Sequence, residues 1–177
     1  MRNRPLLVLL MWQVGVVSLA AQGLKSSASD SARLQGTWSM VSGSADGFAL
    51  PPEYVKSMKR IFVGSEVTVT MGAALYFKAT IRLDADKTPR AIDYHMTGGP
   101  TTGAVQLGIY SVSADTARFC FSAPNAPRPG DFTTAAGDGR TLSTWVRSGP
   151  PGPREKLPAP PEAGFLARSY RQSSSPR

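Results

Sequence analysis

The segment that decides the fold is residues 75–83, in which apolar and polar side chains alternate. It reads Leu75-Tyr76-Phe77-Lys78-Ala79-Thr80-Ile81-Arg82-Leu83. Side chains two positions apart on a strand share a face, so this order places five apolar side chains together, opposite Tyr, Lys, Thr and Arg. The segment therefore predicts a β-strand that buries one face and turns the other outward.

The same alternation recurs in seven further runs between Gly36 and Arg147, with turn residues between them. The first of these runs contains Trp38 and Met40, and the others lie at 60–63, 66–71, 91–96, 105–109, 117–121 and 141–146. Eight strands with one apolar face each predict an all-β fold, either a closed antiparallel β-barrel or a strongly rolled sheet. Closure would also remove the exposed strand edges that promote aggregation.

Residues 52–59 break this rhythm. Prolines stand at the start of the segment, Glu53 lies in its first turn, and apolar residues at positions 54, 55 and 58 follow helical spacing. The segment predicts one short helix after the first strand, lying across one mouth of the barrel.

Most of the net charge of +8 lies near the chain ends, since residues 31–146 hold eleven Lys/Arg against nine Asp/Glu. Two arginines, an apolar run over 6–17 and small residues before position 21 predict a signal peptide at 1–20, cut after Ala20. The protein is then exported, to the periplasm or outside the cell, which argues against nucleic acid as a partner. The alternative is a membrane anchor formed by an uncleaved N-terminal segment.

The remaining boundaries follow from composition. Residues 21–33 are rich in Ser and Ala and are interpreted as a linker, residues 34–147 as the barrel domain, and residues 148–177 as a basic, Pro-rich, disordered tail. A weak contact between this tail and an anionic envelope surface is the functional alternative. One cysteine cannot form an internal disulfide, and neither a cofactor nor an oligomeric state is predicted.

Short motifs follow the strands in a fixed order. They are Leu34-Gln35-Gly36-Thr37-Trp38, Leu50-Pro51, Val67-Thr68-Val69, Lys87-Thr88-Pro89-Arg90-Ala91-Ile92-Asp93, Gly108-Ile109-Tyr110, Asp115-Thr116, Cys120-Phe121 and Pro127-Arg128-Pro129. In this combination, residues 34–147 resemble an uncharacterised lipocalin-like domain family that is expanded in planctomycete bacteria. The resemblance implies a lipocalin-like barrel and no established activity.

Gly36-Thr37-Trp38 is also similar to the Gly-x-Trp opening of true lipocalins. In those proteins the tryptophan closes the barrel floor and an arginine of the last strand packs on it. The resemblance implies Arg147 as this structural cation–π partner of Trp38.

A barrel of about eight strands is either filled by its own side chains or holds one small ligand. The candidate lumen residues are Trp38, Met40, Val69, Phe77, Ile81, Tyr94, Leu107, Ile109, Phe119 and Phe121, with Val67 and Ile92 beside them. These residues fit a module that binds a small apolar ligand, oriented by the tyrosine hydroxyl, and the same set also describes an ordinary packed core. The alternative is a filled barrel that acts as a structural or protein-interaction module of the cell envelope.

Catalytic motifs are weak. Asp93 and His95 share a strand face and could orient a base, but no Gly-x-Ser-x-Gly elbow supplies a nucleophile, so a solvated polar face is favoured. Cys120 is interpreted as an inert thiol. Asp84 and Asp86 lack the glycine and the distal glutamate of an EF-hand loop and are interpreted as a polar turn. The sequence predicts no enzyme and no metal site.

Overall fold

The computed structural model describes residues 18–149, with side chains from residue 26 onward. Its helices are α1 Ser18–Leu34 and α2 Pro52–Ser57. Its strands are β1 Gly36–Ala45, β2 Phe48–Ala49, β3 Met58–Val63, β4 Glu66–Met71, β5 Ala74–Asp84, β6 Ala91–Gly98, β7 Val105–Val112, β8 Thr116–Phe121 and β9 Thr141–Gly149. Nearly all of the expected signal peptide and tail, residues 1–17 and 150–177, lies outside the described residues.

The strands form one antiparallel sheet in which β1 and β3 to β9 follow each other as neighbours. Strand β9 pairs back with β1, for example Met40 with Trp145, so eight strands close into a barrel. The two-residue β2 pairs only with β1 and makes a short hairpin. The predicted all-β antiparallel barrel of about eight strands is therefore confirmed.

The short helix predicted after the first strand is confirmed as α2, although it ends at Ser57 and positions 58 and 59 already belong to β3. Pro52 opens the helix, where a missing backbone N–H removes no intrahelical bond. Leu50 and Val55 pack against the barrel core, and the Gly72 N–H in the β4–β5 turn donates to the Ser57 carbonyl at 2.8 Å. Helix α2 thus lies at the barrel end that holds the β4–β5 turn.

Strand β5 shows why alternation predicted the sheet well. Ala79 and Ile81 are buried in the core, whereas Thr80 and Arg82 are exposed. Ile81 is the register partner of the buried Tyr94 on β6. The predicted faces are confirmed over residues 79–82. Tyr76, predicted to face outward, instead packs against the core beside Phe77, where the pairing with β4 is irregular.

Strand β7 has the opposite orientation from the expected one, so the placement of Leu107 and Ile109 in the lumen is wrong. Gly108, between them, pairs with the interior residues Ile92 and Phe121, which puts Leu107 and Ile109 on the outer face. The Phe121 ring occupies the space where a side chain at position 108 would begin, and only glycine leaves that space free.

The outer face of β7 carries apolar side chains because it is covered. The connection between β8 and β9 crosses it, and Arg128 in that connection donates to the Gly108 carbonyl at 2.6 Å and the Ile92 carbonyl at 3.1 Å. Ile109 is consequently buried outside the barrel. A strand covered on both sides carries apolar residues on both faces, and alternation cannot then tell which face is inward.

Residues 21–33, interpreted as a linker, instead belong to helix α1, and that interpretation is wrong for this segment. Leu34 at the helix end joins the barrel core, and the Trp38 indole N–H donates to the Leu34 carbonyl at 2.8 Å. Ser27 accepts from the Ala85 N–H in the β5–β6 turn. Helix α1 therefore lies at the barrel end opposite α2. Between residues 18 and 149, neither helix has the length and apolar character that a membrane crossing requires.

Candidate functional site

Eight of the ten candidate lumen residues come together inside the barrel. Seven belong to its buried core: Trp38, Met40, Val69, Ile81, Tyr94, Phe119 and Phe121. Phe77 is partly buried and packs against them, and Val67 and Ile92 lie in the same core. Leu107 and Ile109 lie on the outer face, as described above.

The interior also contains a charged residue that alternation did not single out. Arg60 is only 4% exposed and lies on β3 between Met58 and Phe62, both of which are buried. Its register partners are Trp38 on β1 and Val69 on β4, two core residues. The spacing Met58-x-Arg60-x-Phe62 was the available signal, but an arginine in a short strand is ordinarily assigned to the solvent face.

Aromatic rings lie against the Arg60 guanidinium. Its Cζ is 4.1 Å from the centroid of the Phe119 ring and 4.4 Å from that of Trp145. Such distances give cation–π contacts, worth about 2 kcal/mol or more when desolvated. Trp145 is fully buried while its neighbour Val146 is 37% exposed, so the bulkier ring of β9 faces inward.

The hydrogen-bonding capacity of Arg60 is only partly used. Its Nη1 donates to the Tyr94 hydroxyl at 3.2 Å, and its buried Nε has no partner among the described residues. Over the same residues, no carboxylate oxygen lies within 4.0 Å of its nitrogens. The barrel thus encloses a cation for which residues 26–149 provide no counter-ion.

Burial shifts both members of this pair toward their neutral forms. It lowers the pKa of Arg60, an effect opposed by Tyr94, and it raises the pKa of Tyr94 to about 12, opposed by Arg60. Arginine nevertheless remains protonated in proteins. Near neutral pH, the centre of the barrel therefore holds a guanidinium beside a protonated phenol.

The surroundings of this pair are apolar. The Tyr94 ring centroid is 4.3 Å from that of Phe121 and 5.7 Å from that of Phe77. Phe119 also contacts Phe62 and Phe121. Low polarity strengthens electrostatic attraction, so the Arg60 charge attracts an anion more strongly here than a surface guanidinium would, against the cost of desolvating that anion.

A second buried charge, Asp30 on α1, is by contrast fully partnered. Its carboxylate accepts from the Tyr110 hydroxyl at 2.8 Å and pairs with Arg90 at 2.8 Å and Arg33 at 3.7 Å. These contacts fix α1 across the barrel end. Asp30 therefore has a structural role, and the alternation patterns gave no sign of it.

The cation–π pair implied for Trp38 is confirmed. The Arg147 Cζ is 4.3 Å from the Trp38 ring centroid. The same guanidinium donates to the backbone carbonyls of Gln35 at 2.7 Å, Ala114 at 2.9 Å and Arg33 at 2.5 Å. Arg147 thus joins the end of α1, the β7–β8 turn and the last strand.

The residues considered for catalysis lie outside the barrel core. Asp93 accepts from Arg128 at 2.6 Å, and His95 is exposed. Cys120 is buried, and burial raises the pKa of its thiol, which favours the unreactive protonated form. The Asp86 N–H donates to the Asp84 carboxylate at 3.2 Å in the β5–β6 turn.

Comparisons with protein-family models, curated proteins and solved structures found no match to this chain. The fold and the site together define a closed antiparallel β-barrel with a buried, incompletely bonded guanidinium at its centre.

Proposed function

We propose that this protein is an exported, lipocalin-like module that binds a small, largely apolar ligand inside its barrel. The observation that carries the proposal is the buried Arg60 with its unused Nε. Burying a charge without a full set of partners costs several kcal/mol. A barrel that served only as a scaffold would be more stable with an apolar side chain at position 60.

Two features of the sequence support the same proposal. The resemblance of residues 34–147 to a lipocalin-like family fits a barrel that holds one small molecule. The apolar run and small residues of 1–20 support export, for which N-terminal sequencing of protein from its host provides a test. We expect a mature chain that starts at Ala21, and a chain that retains residues 1–20 would contradict cleavage.

Ligand binding is tested on the protein as its own host produces and processes it. Native mass spectrometry before and after solvent extraction should show a bound small molecule, and extracted protein should regain thermal stability when lipids are returned. Bound ligand stabilises the folded state by mass action, so the shift should grow with ligand concentration. Ligand-free protein with no thermal shift across a panel of neutral and charged lipids would contradict the proposal.

The second candidate is a filled barrel that acts as a structural or protein-interaction module. Its support is that both ends contribute to the core, through Leu34 of α1 and through Leu50 and Val55 beside and within α2. Phe48 at the β1–β2 hairpin, 67% exposed, and Val41 offer apolar surface for a partner. The same measurements separate the two candidates, because only the first predicts a retained small molecule.

A further inference from the structure

We infer that the ligand of this barrel carries an acidic head group of the carboxylate type, held by Arg60 and Tyr94 at the barrel centre. This inference rests on the proposed ligand-binding function and names the chemical class that the site selects.

The site presents hydrogen-bond donors to any group that enters. The Arg60 Nε–H has no acceptor among the described residues. The Tyr94 oxygen accepts from Arg60 Nη1 at 3.2 Å, so its own hydrogen takes no part in that bond and is a second donor. Both donors belong to one contacting pair of side chains, and a carboxylate is the acceptor that forms strong, charge-assisted hydrogen bonds with arginine.

The site also lacks negative charge. In the described part of the chain, the ion pairs of Asp and Glu involve Arg33, Lys78, Arg90, Arg128 and Arg140, and none involves Arg60. A neutral carbonyl would satisfy a donor and leave the charge unpaired. An anion satisfies both, and a dry interior makes that difference large.

The surrounding surfaces determine the rest of the molecule. Phe119 and Trp145 cover the guanidinium at 4.1 and 4.4 Å, so its remaining contacts are made along the edge that carries the N–H groups. Phe77 and Phe121 flank Tyr94. The ligand class is therefore an apolar chain or ring that ends in a single carboxylate.

The test compares two probes of equal chain length, decanoate and 1-decanol, on full-length protein after solvent extraction. Calorimetric titration is run on wild type, Arg60→Met, Tyr94→Phe and Arg82→Met. Arg82 is exposed on the outer face of β5, so Arg82→Met removes the same charge without touching the interior. Circular dichroism and thermal unfolding of each variant verify that the barrel is folded.

We expect wild type and Arg82→Met to bind decanoate more tightly than decanol. Arg60→Met should weaken decanoate binding at least about tenfold, as loss of a charged hydrogen bond implies, and leave decanol binding unchanged or tighter. Tyr94→Phe, which retains the ring, should weaken decanoate binding by a smaller factor. It provides the same test if Arg60→Met fails to fold.

Two results would overturn the inference and leave the proposed function standing. One is equal binding of both probes with no effect of Arg60→Met or Tyr94→Phe. The other is recovery of a neutral molecule from host-purified protein together with failure of decanoate to bind. Failure of the whole lipid panel, with ligand-free protein from the host, would overturn the proposed function itself.

Discussion

Arg60 places a guanidinium where an alternating strand ordinarily carries an apolar side chain. Its desolvation opposes folding, and the contacts with Phe119 and Trp145 offset that cost in part. We predict that Arg60→Met, which fills a similar volume without the charge, raises the free energy of unfolding of the ligand-free protein by about 1–4 kcal/mol. Urea unfolding followed by circular dichroism measures the change.

The matched control for that variant is again Arg82→Met, which should change stability by less than about 0.5 kcal/mol because residue 82 is exposed. A loss of stability in Arg60→Met would show that the aromatic contacts outweigh desolvation. The expected combination, greater stability with weaker anion binding, is the usual relation between a functional site and the stability of its fold.

Tyr94 gives the protein a defined sensitivity to alkaline pH. Burial raises its pKa from 10.0 to about 12, so the folded state keeps the phenol protonated while the unfolded chain loses the proton near pH 10. The contribution is fully present below pH 10 and is lost as pH rises to about 12. Burial and the hydrogen bond to Asp30 also raise the pKa of Tyr110, in the same direction.

We therefore predict that the free energy of unfolding falls between pH 10 and about 12, with Tyr94 contributing on the order of 3 kcal/mol to the loss. Urea unfolding at successive pH values measures the curve. Tyr94→Phe should flatten it, since phenylalanine does not titrate. A variant curve as steep as that of wild type would assign the loss to other groups.

At the scale of elements, helix α1 is held to the barrel mainly by polar contacts. Asp30 is buried and bonded to Tyr110 and Arg90, each at 2.8 Å. We predict that Asp30→Ala lowers the free energy of unfolding by about 2–3 kcal/mol, because it removes a charge-assisted bond and leaves the Tyr110 hydroxyl without its acceptor. Urea unfolding measures the loss, and amide exchange in residues 26–34 locates it.

The control for this prediction is Asp86→Ala, an exposed acid in the β5–β6 turn near the same end of the barrel. It should change stability by less than about 0.5 kcal/mol. Equal losses in the two variants would show that the buried contacts of Asp30 do not anchor α1.

The polar docking of α1 also explains why the sequence did not predict it. Asp30 and Leu34 are four residues apart and share a helix face, but with the half-buried Ser27 they form a packed face that is largely polar. A search for apolar residues at helical spacing does not detect such a face. Segment 21–33 therefore resembled a linker, although its last turns close one end of the barrel.

Strand prediction succeeded or failed for a related reason. Over residues 79–82 of β5 one face meets the core and the other meets solvent, so Ala79 and Ile81 were distinguished from Thr80 and Arg82. On β7 the apolar side chains of Leu107 and Ile109 lie under covering chain, while Gly108 makes room for Phe121 inside. The inward face of β7 depends on where the covering segments lie. The alternation of apolar and polar residues carries no information about those segments.

The same limit applied to the candidate site. Tyr94, Phe119 and Phe121 were expected in the lumen from their alternation, and they are there. Arg60 and Trp145 were not expected there. An arginine in a strand is ordinarily exposed, and the face of β9 opposite Trp145 carries two aliphatic residues, so alternation indicated burial of neither side chain. Most of the apolar part of the site was thus predictable, whereas Trp145 and the charged centre were not.

For the molecule as a whole, Arg147 is where the barrel closure and the α1 end meet. Its side chain stacks on Trp38 of β1 while its backbone belongs to β9, the strand that pairs with β1. It also donates to the carbonyls of Arg33, Gln35 and Ala114. The Arg147 guanidinium thus connects the first and last strands of the barrel with the end of α1 and with the β7–β8 turn.

Lysine keeps the charge of Arg147 but cannot reproduce these contacts, because its point-like ammonium lacks the planar fork that bonds several carbonyls while stacking on a ring. We predict that Arg147→Lys lowers the free energy of unfolding by about 2 kcal/mol, and Arg147→Ala by at least as much. Because closure gives each of the eight barrel strands two neighbours, the loss should appear as one cooperative transition. Urea unfolding followed by both tryptophan fluorescence and circular dichroism tests this prediction. Separate transitions for the two probes would show that α1 and the paired strands β1 and β9 open independently of the remaining barrel.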